Sequence, residues 1–216
     1  MFTRKMLLML TIMLVTMATS VSLNGGEFSL GADVYNRYVW RGMDFGNAPV
    51  IQPYLAYSTG NLELGAWSSW PLTDQGFNEN DLYVSYTYNN FNITVFDYFY
   101  PGYTGNDNID DFSDNGAHII ETSARYTYSD LSLMAAVNVL GFDTNNSKYI
   151  ELNYLFYDRK GISASVFAGG GDFMYSLDDG FAVTNIGINL AKDRYSASYA
   201  INPDRKTSFF AFGISF

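Results

Sequence analysis

Residues 118–140 read His118-Ile119-Ile120-Glu121-Thr122-Ser123-Ala124-Arg125-Tyr126-Thr127-Tyr128, then Ser129-Asp130, then a second run from Leu131 to Leu140. In the first arm Ile120, Thr122, Ala124, Tyr126 and Tyr128 alternate with Glu121, Ser123 and Arg125. A period of two places the two sets on opposite faces of a β-strand, one largely apolar and one charged. The polar break between the arms reads as a tight hairpin turn.

The same unit recurs in both directions along the chain. Leu62, Leu64 and Ala66 oppose Glu63, Gly65 and Trp67, while Leu82, Val84, Tyr86 and Tyr88 oppose Asp81, Tyr83, Ser85 and Thr87. Ile150, Leu152, Tyr154 and Phe156 oppose Tyr149, Glu151 and Asn153. In the first run Phe28, Leu30, Ala32, Val34, Tyr38 and Trp40 share a face, with polar Asn36 as the exception. Ser29, Gly31, Asp33, Tyr35 and Arg37 share the other. About twelve such strands are predicted. They lie near 28–40, 49–58, 62–70, 80–89, 91–99, 117–128, 131–140, 148–158, 161–169, 181–191, 195–201 and 206–216. After Gly25-Gly26 no stretch sustains helical spacing, so the chain is all-β.

Composition excludes several classes outright. The chain has 216 residues, the size of one domain, and 16% charged against 18% aromatic residues, which rules out disorder. Although 48% of residues are hydrophobic, the mean hydropathy is −0.05, so apolar positions are interspersed with polar ones. There is no cysteine, which excludes disulfides, thiolate metal sites and cysteine nucleophiles. The single histidine, His118, excludes histidine-rich metal sites, and no cofactor or resident metal is implied. A net charge of −10 has the wrong sign for nucleic acid.

Residues 1–20 have a basic start at Arg4 and Lys5, an apolar run from Met6 to Ala18 and a small-residue close at Ala18-Thr19-Ser20. That pattern predicts a secretory signal peptide, leaving 21–216 as a single exported domain. The apolar run is shorter than the roughly 20 residues of a membrane-spanning helix.

The linkers alternate in character. Thr59-Gly60-Asn61, Asn89-Asn90, Ser129-Asp130, Asp158-Arg159-Lys160 and Lys192-Asp193-Arg194 are short. Those near 41–49, 71–79, 100–116, 141–147 and 170–180 are longer and mostly acidic, and 202–205 is brief. Short turns at one end and long loops at the other predict a transmembrane antiparallel up-and-down β-barrel in the bacterial outer membrane. Rings near strand ends, Tyr38 with Trp40, Trp67 with Trp70, Phe96 to Tyr100 and Tyr126 with Tyr128, are read as girdles at the two headgroup zones. An open sheet cannot cross hydrocarbon, because its edge amides would go unpaired, whereas an even number of strands can close.

In such a barrel the polar-face charges Asp33, Arg37, Glu63, Asp81, Glu121, Arg125 and Glu151 line the lumen. The expected function is passive diffusion of small hydrophilic solutes or ions, with acidic residues favouring cations. The alternative is a structural or surface-interaction barrel with a filled lumen and acidic external loops. An enzymatic role is not expected, because His118 and Ser123 are an odd number apart and point to opposite faces of one strand. The loop Asp107 to Gly116 holds four carboxylates without the order of an EF-hand and is read as a solvated acidic loop. Expected partners are outer-membrane lipids and lipopolysaccharide, the barrel-assembly machinery and small hydrophilic solutes.

Val34-Tyr35-Asn36-Arg37-Tyr38-Val39-Trp40-Arg41-Gly42, followed by Ile51-Gln52-Pro53, Gly65-Ala66-Trp67, Asp81-Leu82-Tyr83 and Asp97-Tyr98, resembles the TorF-type porin family, also called Gcw_chp proteins. The resemblance covers roughly the first hundred residues and is most specific at Arg-Tyr-Val-Trp-Arg-Gly. It implies an outer-membrane barrel with a pore role and supplies no catalytic residues. Phe210, Phe212, Ile214 and Phe216 alternate on the last strand, and this aromatic ending resembles the assembly signal of bacterial outer-membrane proteins.

Overall fold

The computed structural model describes residues 25–216, so the expected signal peptide at 1–20 lies outside the described residues. The strands are β1 (Glu27–Tyr35), β2 (Val39–Trp40), β3 (Met43–Asp44), β4 (Val50–Thr59), β5 (Leu62–Pro71), β6 (Glu79–Tyr88) and β7 (Phe91–Phe99). They continue with β8 (His118–Tyr128), β9 (Leu131–Gly141), β10 (Lys148–Arg159), β11 (Ile162–Gly171), β12 (Ala182–Lys192), β13 (Tyr195–Asn202) and β14 (Thr207–Ser215). Twelve of them close a barrel in the order β1-β14-β13-β12-β11-β10-β9-β8-β7-β6-β5-β4, and β2 pairs with β3 as a separate hairpin. All pairings are antiparallel, which gives the up-and-down topology that the alternation predicts.

Each tight turn opens on a left-handed residue: Gly60 (φ 57°), Asn89 (51°), Ser129 (51°), Lys160 (55°) and Asp193 (54°). That conformation matches the right-handed twist of the flanking strands. The outward face is largely apolar and exposed, with Leu30 at 78%, Leu82 at 63% and Phe210 at 56%, and its polar exceptions include Asn36 and the His118–Asp97 pair. Tyr126, Tyr128, Tyr154, Phe156 and Tyr195 form an outward ring band toward the turn end. Phe210, Phe212 and Phe216 also face outward.

Two expectations need correction. The first strand does not continue to residue 40: β1 ends at Tyr35, and its partner on the closing side, β14, aligns with it only from Asp33–Ser215 to Tyr35–Gly213. At the departure point the Asn36 amide replaces a strand residue. Its Nδ2 donates to Phe210 O at 3.1 Å, and its Oδ1 accepts from Phe212 N at 2.7 Å. Two backbone groups on the freed edge of β14 are thereby paired.

The second correction concerns the rings. Tyr38, Trp40, Trp67, Phe96 and Tyr98 face the interior and line one cavity, with Tyr38 and Trp67 centroids 5.6 Å apart. They are packed around a segment inside the barrel and do not form a girdle. Trp70, on the opposite face of β5 from Trp67, is 44% exposed and does point outward.

Candidate functional site

Residues 36–49 leave the wall after β1 and fold into the lumen, where their contacts reach across to the far strands. The β2–β3 hairpin turns on Arg41 (φ 51°) and Gly42 (φ 79°), two successive left-handed residues of the kind a two-residue hairpin requires. Glycine is needed at the second for space as well, since a Cβ there would stand 1.9 Å from the Thr184 carbonyl oxygen on β12. The hairpin backbone is bound to the wall: Asn202 Nδ2 donates to Gly42 O at 3.0 Å and Thr184 Oγ1 to Arg41 O at 3.4 Å. At its root Arg37 donates to Asp44 Oδ2 at 3.1 Å and to Asn47 Oδ1.

Arg41 is the centre of this arrangement. Its guanidinium grips Glu121 on β8 with both nitrogens, Nη1 to Oε2 at 2.6 Å and Nη2 to Oε1 at 2.8 Å. Tyr175, in the β11–β12 loop, accepts from Nη1 at 2.6 Å, and Tyr98 donates to Glu121 Oε1 at 3.1 Å. The guanidinium carbon lies 4.2 Å from the Trp40 ring centroid and 4.6 Å from that of Tyr149. The side chains of this ion pair are only 7% and 1% exposed. A desolvated pair holds together when its geometry is bidentate and its remaining atoms are hydrogen-bonded, and both conditions are met here. Beside Glu121 the β8–β9 register shifts, so that Ile120 aligns with Leu140 and Glu121 with Asn138. A bulge re-aims side chains locally, and here it stands at the strand position that receives Arg41.

The hairpin leaves space on the turn side. One cavity of about 670 Å³ is lined by Glu63, Asp81, Glu121, Arg125 and Glu151 together with Tyr38, Trp40 and Arg41. A second of about 410 Å³ is lined by Asp33, Arg37, Gln52, Ser163, Ser165, Asn189, Ser196 and Ser198, drawn from strands around the barrel. All seven charges expected in the lumen therefore stand on cavity walls, in two groups. Arg37 does so from the inward segment, where the sequence pattern had placed it on β1.

Several of these charges are already engaged. Glu63 accepts from Tyr83 OH at 2.9 Å and Ser58 Oγ at 3.0 Å. Glu151 accepts from Tyr149 OH at 2.7 Å and Asn185 Nδ2 at 3.1 Å. Arg125 donates to Ser132 Oγ at 3.3 Å. Asp81 is buried with Oδ1 unpaired, as is Oε2 of Glu79, two residues earlier on the same face.

Sequence reasoning missed Arg41, Glu79 and Tyr175. The available signal was Asn36, a polar residue on an otherwise apolar face just where the chain turns inward. His118 faces outward, its Nδ1 2.7 Å from Asp97 Oδ1 and its ring stacked between Phe99 and Phe112. Ser123, which lines the lumen cavity, is on the other face of β8. In the acidic loop Asp111 is used locally, accepting from Ser113 N at 2.9 Å and Asn106 Nδ2 at 2.7 Å.

Among solved structures the barrel is similar to one described as "Unveiling the Mechanism Behind the in-meso Crystallization of Membrane Proteins". The two share 9% identity with a TM-score of 0.51, over 87% of this chain and 83% of that one, a likeness of fold alone. A comparison with curated proteins finds no match. The profile of Gcw_chp, a bacterial protein family of unknown function, matches residues 20–212, and the chain belongs to that family.

Proposed function

We propose that this protein is an outer-membrane pore that passes small hydrophilic solutes by diffusion, prefers cations, and uses residues 36–49 as its constriction. The observation that carries the reading is the pair of polar chambers, about 670 and 410 Å³, left beside a hairpin that is docked by specific bonds. An exposed apolar outer face with a ring band suits hydrocarbon and its boundary, and charge is tolerated on the other face. In this orientation the five tight turns lie in the periplasm and the long loops outside. Among the lumen groups, carboxylates outnumber guanidiniums, and low-dielectric walls focus their field on an entering ion.

The test is single-channel recording from refolded protein in planar bilayers. Wild type is expected to give small, cation-selective currents. Gly42→Val, which cannot seat the hairpin against Thr184, should raise conductance severalfold while the barrel stays heat-modifiable on a gel. Neutralising Glu63 and Glu151 to Gln should shift the reversal potential toward zero, more at 0.01 M than at 1 M salt, where screening shortens from about 30 to about 3 Å. Silence from both wild type and Gly42→Val, in verified folded protein, would replace the pore with the structural barrel. That second reading is favoured by one feature, the Arg41–Glu121 pair crossing the lumen.

A further inference from the structure

Above the hairpin, at the loop end, a cup of about 640 Å³ opens away from the two polar chambers. Its floor is Met43, Asp44 and Phe45 of the inward segment, and its walls carry Phe77, Tyr100, Tyr103 and Phe142 from three separate loops. Tyr100 is buried in a cluster against which Phe45 and Phe142 pack, whereas Phe77 and Tyr103 remain 45% and 54% exposed, so core packing does not account for those two. The rings form a continuous wall: centroids are 5.2 Å apart for Phe77–Tyr103, 5.5 Å for Tyr103–Phe142, 6.0 Å for Phe142–Tyr100 and 6.5 Å for Tyr100–Phe45.

Charge decides what such a wall would hold. Asp44 is neutralised by Arg37 at 3.1 Å. Asp143, which is 8% exposed, accepts only from neutral donors: Asn138 Nδ2 at 2.7 Å, Ser147 N at 2.9 Å and Asn145 N at 3.3 Å. Its charge is therefore placed at the cup without a cation among the described residues. Arg205 also lines the cup, but it is exposed, and a charge in water is screened far more than a buried one. Ring faces carry negative quadrupole potential, so rings and carboxylate act in the same sense.

We propose that the cup is a binding site for a small organic ammonium ion with an apolar or aromatic body, of the quaternary or arylalkylamine class. The cation would sit against the ring faces near Asp143, and its apolar part would cover Met43 and Met174. An anion of the same shape meets the rings and the buried carboxylate with the wrong sign. The inference does not depend on conduction, because the cup is formed whether or not solute passes the hairpin below it.

The test uses an isosteric pair of opposite charge, tyramine and 4-hydroxyphenylacetate, with phenyltrimethylammonium as a quaternary probe. Binding to the refolded full barrel in detergent micelles is followed by saturation-transfer NMR and titration calorimetry. The two cations should bind and the anion should not. A Tyr103→Leu/Phe142→Leu double variant keeps an apolar surface and removes two ring faces, and should weaken the cations by about tenfold. Arg205→Gln, which removes the cationic side chain from the cup's lining, should tighten binding of the cations relative to wild type. The proposal is overturned if the anion binds as well as the cations, if the double variant binds them undiminished, if Arg205→Gln loses them, or if neither cation binds at millimolar concentration. A barrel that binds tyramine while both wild type and Gly42→Val pass no current would sink the pore and keep the cup.

Discussion

The wall around β8–β10 and the segment at 36–49 are built on different principles. In the wall, β8 and β9 are eleven residues each and alternate from the tight turn up to the bulge at Glu121 and Asn138, and the outward residues Ile120, Leu133 and Leu152 need only be apolar. Any side chain of the right polarity serves, because the ladder of backbone hydrogen bonds supplies the cohesion. The inward segment has two rungs of its own, Val39–Asp44 and Trp40–Met43, and holds its place through individual atoms. Arg41 on Glu121, Asn202 on Gly42 and the absent Cβ of Gly42 are each unique contacts. A pattern tolerates substitution, whereas a lock does not.

That contrast can be broken most forcefully at Glu121. Glu121→Gln leaves the Arg41 guanidinium buried without a counter-charge, a loss of about 3–5 kcal/mol. If wall and segment are separable, the segment is released. Trypsin added from the loop side should then cleave after Arg37 or Arg41 while the barrel keeps its folded gel mobility. Replacing both partners, with Arg41→Met and Glu121→Leu, should restore much of the protection, since an apolar pair carries no desolvation cost. Collapse of the whole barrel in Glu121→Gln would show instead that wall and segment form one cooperative unit.

The reverse perturbation belongs on the outer face. Leu152→Arg, in mid-strand on β10 and 44% exposed outward, should cost about 2–4 kcal/mol in a bilayer and lower the urea midpoint of the wall. Resistance to trypsin after Arg41 should be retained up to that midpoint. An unchanged midpoint in lipid vesicles would mean that this face does not meet hydrocarbon.

The smallest effect lies where the two regions join. Asn36→Ala removes a side chain that pairs two backbone groups of β14, each bond worth about 0.5–1.5 kcal/mol. Amide exchange should accelerate at Phe212 and hardly change at Ala136 on the opposite wall. Equal exchange at both sites would show that the closing seam is no weaker than the rest.

Only one side of this contrast was legible in the sequence. All twelve wall strands could be placed to within a few residues, except the end of β1, because period-two alternation is a local property that survives without knowledge of neighbours. The alternation of tight turns with long loops likewise separated the two ends of the barrel. Tyr38, Trp40 and Trp67 were misplaced for a related reason. Rings at strand ends suit a headgroup zone and the packing around an inserted hairpin equally, and residue type does not separate the two.

By itself, then, the sequence determined an all-β chain with one apolar and one polar face, its strand number and the residues available to the interior. Tertiary structure decided where β1 stops, that Arg41 meets Glu121 across eighty positions of sequence, and that rings from separate loops converge above the hairpin. The physical reason is range. Alternation and turn chemistry act between neighbours in the chain, while a buried ion pair and a glycine fitted against a carbonyl depend on barrel closure, which brings remote strands to face each other across the lumen.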